Sequence, residues 1–136
     1  SNVDRQNLDY EYGGIEGDNM EIKQLTEQIV TLLEGKKGKQ IKVLNMEGIT
    51  ALADYFILVN AGNKKHSQAL ADEVTKLLTD NNIELLRENG YREGTWILQD
   101  FGSIIVHIFV PEERTYYDLD TMWGDAKIEQ QISGDQ

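Results

Sequence analysis

Two short apolar runs separated by a single glycine constrain this chain most strongly. They cover Thr95–Phe101 and Ser103–Val110, with Gly102 between them. Together the runs are rich in Ile, Val, Phe and Trp, which suit a pleated, half-buried surface, while each run is short for a globular helix. The pattern therefore predicts a β-hairpin with residues 100–103 as its turn, because glycine adopts positive φ without steric cost.

A short aromatic helix is predicted directly after the hairpin. Pro111 ends the second apolar run and suits the first position of a helix. The helix would carry Glu112 and Glu113 in its first turn, where the helix dipole favours acidic side chains. The same segment brings Tyr116 and Tyr117, and the rest of the chain must pack against this unit.

The other segments predict a single α/β (α+β) domain. Apolar periodicity indicates two helices, and short apolar runs indicate three strands. They are a helix from about Met20 to Glu34, strands at 41–44 and 55–59, a helix from about Lys65 to Asp80, and a strand at Leu85-Leu86. We expect a mixed, mostly five-stranded sheet flanked by helices. The crossover through the second helix would make the 55–59 and 85–86 strands neighbours or near-neighbours.

The two ends of the chain have a different composition. Residues 1–19 are acidic and lack hydrophobic periodicity, which predicts a disordered leader; Ser1-Asn2 also resembles a remnant of tag removal. Residues 127–136 are polar, and we expect a flexible tail there. The domain itself would then cover residues 20–126.

Composition excludes several function classes. The chain has no cysteine, so a disulfide scaffold, a zinc–thiolate site and a cysteine nucleophile are excluded. Its formal net charge of −11 argues against broad contact with nucleic-acid backbone and suits a basic protein partner. No apolar run has the length of a membrane span and no secretory signal pattern opens the sequence, so we expect a cytoplasmic protein without membrane contact.

Motifs that carry chemistry are sparse, and the sequence contains no phosphate-binding loop or nucleophile elbow. His107 interrupts the second apolar run, where a hydrogen-bonded structural role is favoured over a base or ligand. Asp118 and Asp120 form the single D-x-D pair, for which local capping is favoured over metal binding. Large aromatic side chains are common anchors at protein interfaces, which makes Trp96, Tyr116 and Trp123 candidates.

Four segments are recognisable as a set. They are LADYFILV (Leu52–Val59), GYREGTWILQDFGSIIVHIF (Gly90–Phe109), RTYYDL (Arg114–Leu119) and MWGDA (Met122–Ala126). Together they resemble the ribosomal silencing factor family, also called Iojap-like, over about Met20 to Ala126. The spacing of the aromatic, glycine and acidic residues within these segments is distinctive.

The resemblance implies a binding protein rather than an enzyme, with no cofactor and no metal. Family members bind the large ribosomal subunit through ribosomal protein L-fourteen, block association with the small subunit and repress translation. Some form homodimers when free, and little direct RNA contact is expected. If the chain is such a binding protein, we expect the partner-binding residues on the hairpin and the following helix, at Trp96, Asp100, Tyr116 and Tyr117, with Asp54 and Glu93 as further candidates.

The fold implied by the resemblance is nucleotidyltransferase-like, which leaves an enzyme as the alternative. Such an enzyme would use Asp54, Asp118 and Asp120 with magnesium. However, the turn before the second helix, residues 61–64, lacks the serine of a Gly-Ser turn, and the strand near Leu85 carries no carboxylate pair. A fold likeness does not carry the activity without these groups. A homodimeric scaffold with no ribosome contact remains a further alternative.

Overall fold

The computed structural model describes residues 14–133, so residues 1–13 of the predicted leader and residues 134–136 of the predicted tail lie outside the described residues. The described chain forms four helices and six strands. In chain order they are α1 (Gly14–Gly35), β1 (Lys39–Asn45), β2 (Tyr55–Asn60), α2 (Lys64–Asp80), β3 (Arg87–Asn89), β4 (Trp96–Asp100), β5 (Ile104–Phe109), α3 (Pro111–Tyr116), α4 (Leu119–Met122) and β6 (Lys127–Ile132).

All six strands belong to one mixed sheet, with the order β3-β4-β5-β2-β1-β6. Strands β2 and β5 are parallel, and every other neighbouring pair is antiparallel. The fold is therefore a single α+β domain, as expected, but its sheet has six strands where the sequence predicts five. The additional strand is β6, which pairs with β1 along Lys127–Ile132.

The prediction of a flexible tail at residues 127–136 is wrong over β6. An edge strand needs only one paired neighbour and tolerates polar side chains, so its sequence lacks the apolar run that marks a buried strand. The prediction of a leader up to residue 19 also differs from the structure, because α1 begins at Gly14 rather than near Met20. Residues 14–19 lack hydrophobic periodicity, which is the signal that predicts a helix from sequence.

The predicted hairpin is confirmed. Strands β4 and β5 pair antiparallel, with Trp96 opposite Phe109 at the open end and Asp100 opposite Ile105 near the turn. Gly102 has a φ of 91°, and its N–H donates to Asp100 Oδ1 at 2.8 Å. The hairpin is thus closed by the glycine that the sequence singles out.

The predicted neighbourhood of the strands around α2 is wrong. The strand after α2 begins at Arg87, and it lies at the sheet edge with β4 and β5 between it and β2. The reason is that β5 returns parallel to β2 and takes the position that the crossover would otherwise have filled. The β4–β5 hairpin therefore lies between β3 and β2 in the sheet.

The two faces of the sheet differ in their cover. Helices α1 and α2 pack on the first face, over a buried core that includes Ile29, Leu33, Ile57, Val74 and Val106. The second face carries a smaller buried cluster, whose members include Leu44, Phe56, Leu58, Phe109 and Leu119. The short helices α3 and α4 follow β5 on this second face. Among the described helices, none combines the length and hydropathy that a membrane span requires.

Candidate functional site

Aromatic rings are concentrated on the second face of the sheet. Strand alternation places Trp96 of β4 on the same face as His107 and Phe109 of β5. The ring centroids of Trp96 and Phe109 lie 5.5 Å apart, and those of Trp96 and Tyr117 lie 5.8 Å apart. Tyr117 in turn meets Tyr116 edge-on at 4.9 Å. The hairpin and the α3 segment therefore share one continuous aromatic surface.

The outer part of this surface is open to solvent. Tyr116 is 79% exposed, Tyr117 49% and Met122 62%. Trp96, Leu98 and Trp123 are half-buried and pack against the buried cluster beneath them. We call these side chains the docking patch: Trp96, Leu98, Tyr116, Tyr117, Met122 and Trp123. Exposed apolar side chains grouped in this way are typical of protein-interaction sites, and tryptophan and tyrosine are frequent anchors there.

His107 lies beneath the docking patch and is 3% exposed. Its Nδ1 accepts a hydrogen bond from Trp96 Nε1–H at 3.2 Å, which confirms the prediction of a hydrogen-bonded structural histidine. The ring centroids of Phe56 and Trp123 lie 4.9 Å and 5.0 Å from that of His107. Burial lowers the pKa of His107 from 6.5 to about 4, because the charged imidazolium loses its hydration. His107 is therefore neutral at physiological pH.

An ion pair between the buried Arg114 and the half-buried Asp120 fixes α3 and α4 to the sheet. Arg114 of α3 donates from Nε and Nη2 to the two carboxylate oxygens of Asp120, each at 2.9 Å. Its Nη1 donates to Asn60 Oδ1 at 3.0 Å, and Lys42 Nζ donates to Asp120 at 2.8 Å. Side chains of α3, α4, β1 and β2 thus meet in one cluster. The segment that carries the tyrosines and Trp123 is held in a fixed position over the sheet.

The same cluster decides the role of the D-x-D pair. The hydrogen bonds from Arg114, together with those from Lys42, hold the pKa of Asp120 at about 2, against an ordinary value of 3.8. Asp118 adopts a left-handed conformation with φ of 52° and accepts a hydrogen bond from Thr121 Oγ1 at 2.9 Å. The carboxylate of Asp120 is thus already hydrogen-bonded to two cationic side chains, Arg114 and Lys42. In the described part of the chain, no group of three or more His, Asp or Glu side chains has the geometry of a metal site.

The six candidate binding residues occupy two ends of the sheet. Trp96 lies with Tyr116 and Tyr117 at the end where β4 pairs with Phe109, and Glu93 lies in the turn that leads into β4. Asp100 lies at the opposite end of β4, where Arg87 Nη2 donates to its carboxylate at 3.1 Å.

Asp54 also lies at that opposite end, immediately before Tyr55, which pairs with Ile104. The backbone N–H of Asp54 donates to Ser103 O at 2.8 Å. The structure therefore brings the three aromatic candidates together and separates Asp54 and Asp100 from them.

Leu98 and Met122 belong to the docking patch but are absent from the sequence-based site. Leu98 could have been found from the two-residue period of β4, since it faces the same side as Trp96. Met122 could not, because its exposure depends on how α4 turns over the sheet. Trp123 is the third aromatic residue that the sequence predicts as a possible anchor, and it packs edge-on against Phe56 at 5.2 Å.

The chain was compared with protein families, curated proteins and solved structures. A family described as "Ribosomal silencing factor during starvation" matches residues 19–136. The ribosomal silencing factor RsfS of Halalkalibacterium halodurans is 40% identical over 108 residues, which cover 79% of this chain and 90% of that protein. The protein of the same name from Bacillus subtilis is 38% identical over 95 residues, covering 70% of this chain and 80% of that protein. A crystal structure of a Chromobacterium violaceum protein has a TM-score of 0.73 and 28% identity, and covers 83% of this chain and 93% of that one.

Proposed function

Because this chain belongs to the ribosomal silencing factor family, we propose that it binds the large ribosomal subunit, chiefly through ribosomal protein L-fourteen. By occupying the face of the large subunit that meets the small subunit, it sterically blocks subunit association and represses translation. The mechanism requires binding and no turnover. The observation that carries this proposal is the docking patch, which is partly exposed, mostly aromatic and packed over a buried cluster.

The contacts that hold the aromatic side chains of the patch in place support a docking role. An exposed aromatic side chain binds more tightly when it is already in its bound orientation, because less conformational entropy is lost on association. Trp96 is held by His107, Phe109 and Tyr117, while the Arg114–Asp120 ion pair fixes the segment that carries the tyrosines. Trp96 and Tyr117 are therefore proposed as the central anchors, with Tyr116 at the margin.

The charge around the patch favours a basic protein partner. Exposed acidic side chains include Glu112 in α3, Asp118 between α3 and α4, and Asp125 after α4, and the whole chain has a formal net charge of −11. We propose that these carboxylates form an acidic rim around the apolar centre of the patch, which would attract a basic surface and repel nucleic-acid backbone. We therefore assign the contact to ribosomal protein rather than to ribosomal RNA. Glu93, in the turn that leads into β4, is proposed as part of the rim, and Asp54 and Asp100 as peripheral contacts.

Three finer assignments belong to the same proposal. The protein acts in the cytoplasm, where the ribosomes of its bacterial relatives are found. The free protein forms homodimers, which would shield the exposed tyrosines and Met122 from water. The sheet topology is related to that of nucleotidyltransferases, with the functional domain at residues 20–126 and without their catalytic groups.

An enzyme of nucleotidyltransferase type is the less favoured alternative. It would need Asp54, Asp118 and Asp120 to share one metal ion. Asp120 is instead paired with Arg114 and Lys42, and Asp54 lies at the β-sheet end opposite to Trp96. A titration with nucleotide and magnesium distinguishes the two functions, since saturable binding of both would favour the enzyme.

The proposed function is tested by co-sedimentation with purified large subunits at moderate salt. We expect the wild-type chain to co-sediment and a Trp96→Ala/Tyr117→Ala variant to remain in the supernatant. Leu86→Ala is the matched control, because Leu86 is an apolar side chain, 64% exposed, that lies outside the patch. Absence of wild-type co-sedimentation would contradict the proposal, and equal loss in the Leu86 variant would contradict the location of the site.

A further inference from the structure

We propose that His107 is a positioning residue for the docking patch, whose Nδ1 fixes the indole of Trp96 in the orientation that the partner meets. This inference rests on the proposed function of the patch. It adds a buried residue whose contribution to binding would be indirect. Its first support is the hydrogen bond from Trp96 Nε1–H to His107 Nδ1, at 3.2 Å.

The hydrogen bond selects one orientation of the indole. Trp96 is half-buried among apolar neighbours, and its ring lies 5.5 Å from Phe109 and 5.8 Å from Tyr117. Packing alone tolerates more than one orientation of a large planar ring. An indole N–H that is partly buried needs an acceptor, so the position of Nδ1 decides which edge of the ring turns inward. The opposite edge is then the one presented on the patch.

The second support is that His107 is poorly suited to its place as a packing residue. It lies on the central strand β5, with Leu58 and Leu98 as its cross-strand neighbours. Because Nδ1 accepts from Trp96, the single proton of the neutral ring must be on Nε2. That Nε2 is buried and makes no hydrogen bond to any residue that the structure describes. An unpaired buried donor is destabilising, and an apolar side chain at this position would avoid the penalty.

A residue that is unfavourable for stability and oriented toward a binding side chain is typical of a functional compromise. Direct contact between His107 and a partner is not the explanation, because Phe56 and Trp123 cover the ring and the residue is 3% exposed. His107 therefore affects the surface through its hydrogen bond with Trp96. Loss of the acceptor would free the indole, and we expect affinity for large subunits to fall roughly tenfold.

The test uses the full chain with His107→Leu, which removes the acceptor, and His107→Asn, whose side-chain oxygen can replace Nδ1. The chain contains two tryptophans, so a ¹⁵N spectrum has two indole signals, and Trp123→Phe assigns the one from Trp96. In the Leu variant we expect this signal to shift or broaden, the thermal midpoint to stay unchanged or rise, and binding to weaken about tenfold. The Asn variant is expected to restore most of the signal and of the affinity.

A double-mutant cycle separates positioning from a general structural effect. Trp96→Phe removes the donor but keeps an aromatic ring, so His107→Leu should cause no further loss of affinity in that background. Additive losses would overturn the proposal, as would a Leu variant that binds like wild type or that fails to fold. The spectrum of the free protein is measured without ribosomes. A failure of the ribosome assay in the wild-type chain therefore overturns the proposed function, whereas an unchanged Trp96 indole signal in the Leu variant overturns the role of His107.

Discussion

Removing the carboxylate of Asp120 should destabilise the domain much more than removing an exposed ion pair. Asp120→Ala deletes two hydrogen bonds from Arg114 and one from Lys42. The Arg114 side chain is only 8% exposed, so its charge would stay buried with the neutral acceptors Gln40 O and Asn60 Oδ1. Leaving a buried charge without its partner typically costs about 3–5 kcal/mol.

The expected loss of stability is smaller than this, because the Asp120 side chain is 40% exposed and water screens part of the interaction. We therefore expect the free energy of unfolding to fall by about 2 kcal/mol at neutral pH. Urea denaturation, followed by tryptophan fluorescence, measures this change, since Trp123 follows α4 directly. Affinity for large subunits should fall as well, because the α3–α4 segment would lose its attachment to the sheet.

Lys76→Ala is the matched control. Lys76 and Asp80 form an ion pair at 3.2 Å on α2, and both side chains are more than half exposed. Such pairs contribute about 0.3–0.5 kcal/mol, so this variant should unfold almost like wild type. An Asp120→Ala variant within about 0.5 kcal/mol of wild type would refute the reasoning, because the ion pair would then not be what holds α3 and α4.

Three further predictions follow from single groups. The pKa of His107 is about 4 in the folded state against an ordinary value of 6.5, so the unfolded state binds a proton at higher pH than the folded state does. The free energy of unfolding should therefore fall as pH decreases from about 6.5 to 4, and His107→Leu should flatten the pH dependence of the urea midpoint in that window. Asp120 contributes at lower pH, because its pKa is about 2 in the folded state against an ordinary value of 3.8. Its contribution to the free energy of unfolding is complete above pH 3.8 and is lost as pH falls toward 2. Asp120→Asn should abolish this acid dependence. Gly90 and Gly48 both have φ of 81°, but a Cβ on Gly90 would collide with the backbone oxygen of Trp96 whereas one on Gly48 meets open space. Gly48→Ala should therefore cost about 1 kcal/mol in thermal unfolding and Gly90→Ala clearly more, and equal costs would contradict the clash.

Local patterns predicted the parts of the fold that local interactions determine. The hairpin β4–β5 and its glycine turn follow from two apolar runs and Gly102, and α3 follows from Pro111. The strand order could not be predicted in this way. The parallel pairing of β2 with β5 joins residues nearly fifty positions apart, and no local pattern specifies which of two strands takes that place. Strand β6 was not predicted, because it forms by hydrogen bonding to β1 and its own polar sequence has no strand pattern.

The candidate site also has a part that local sequence predicts and a part that depends on long-range contacts. Trp96 and the two tyrosines were predicted from residue type and from the family resemblance, and the structure places them together. The support beneath them was not predictable, because it depends on long-range pairs such as Lys42–Asp120 and Arg114–Asn60. His107 shows both cases: its place on a strand face follows from alternation, but its bond to Trp96 required the register of β4 against β5.

We propose that the chain uses its docking patch to prevent the two ribosomal subunits from joining. The most direct measurement is a joining assay with purified subunits, in which sucrose-gradient sedimentation gives the fraction of joined ribosomes as the chain is titrated. We predict that the wild-type chain and Leu86→Ala lower this fraction when they reach the concentration of large subunits, while Trp96→Ala/Tyr117→Ala has no effect. A joined fraction that stays constant with excess wild-type chain, although the chain co-sediments with large subunits, would contradict the account.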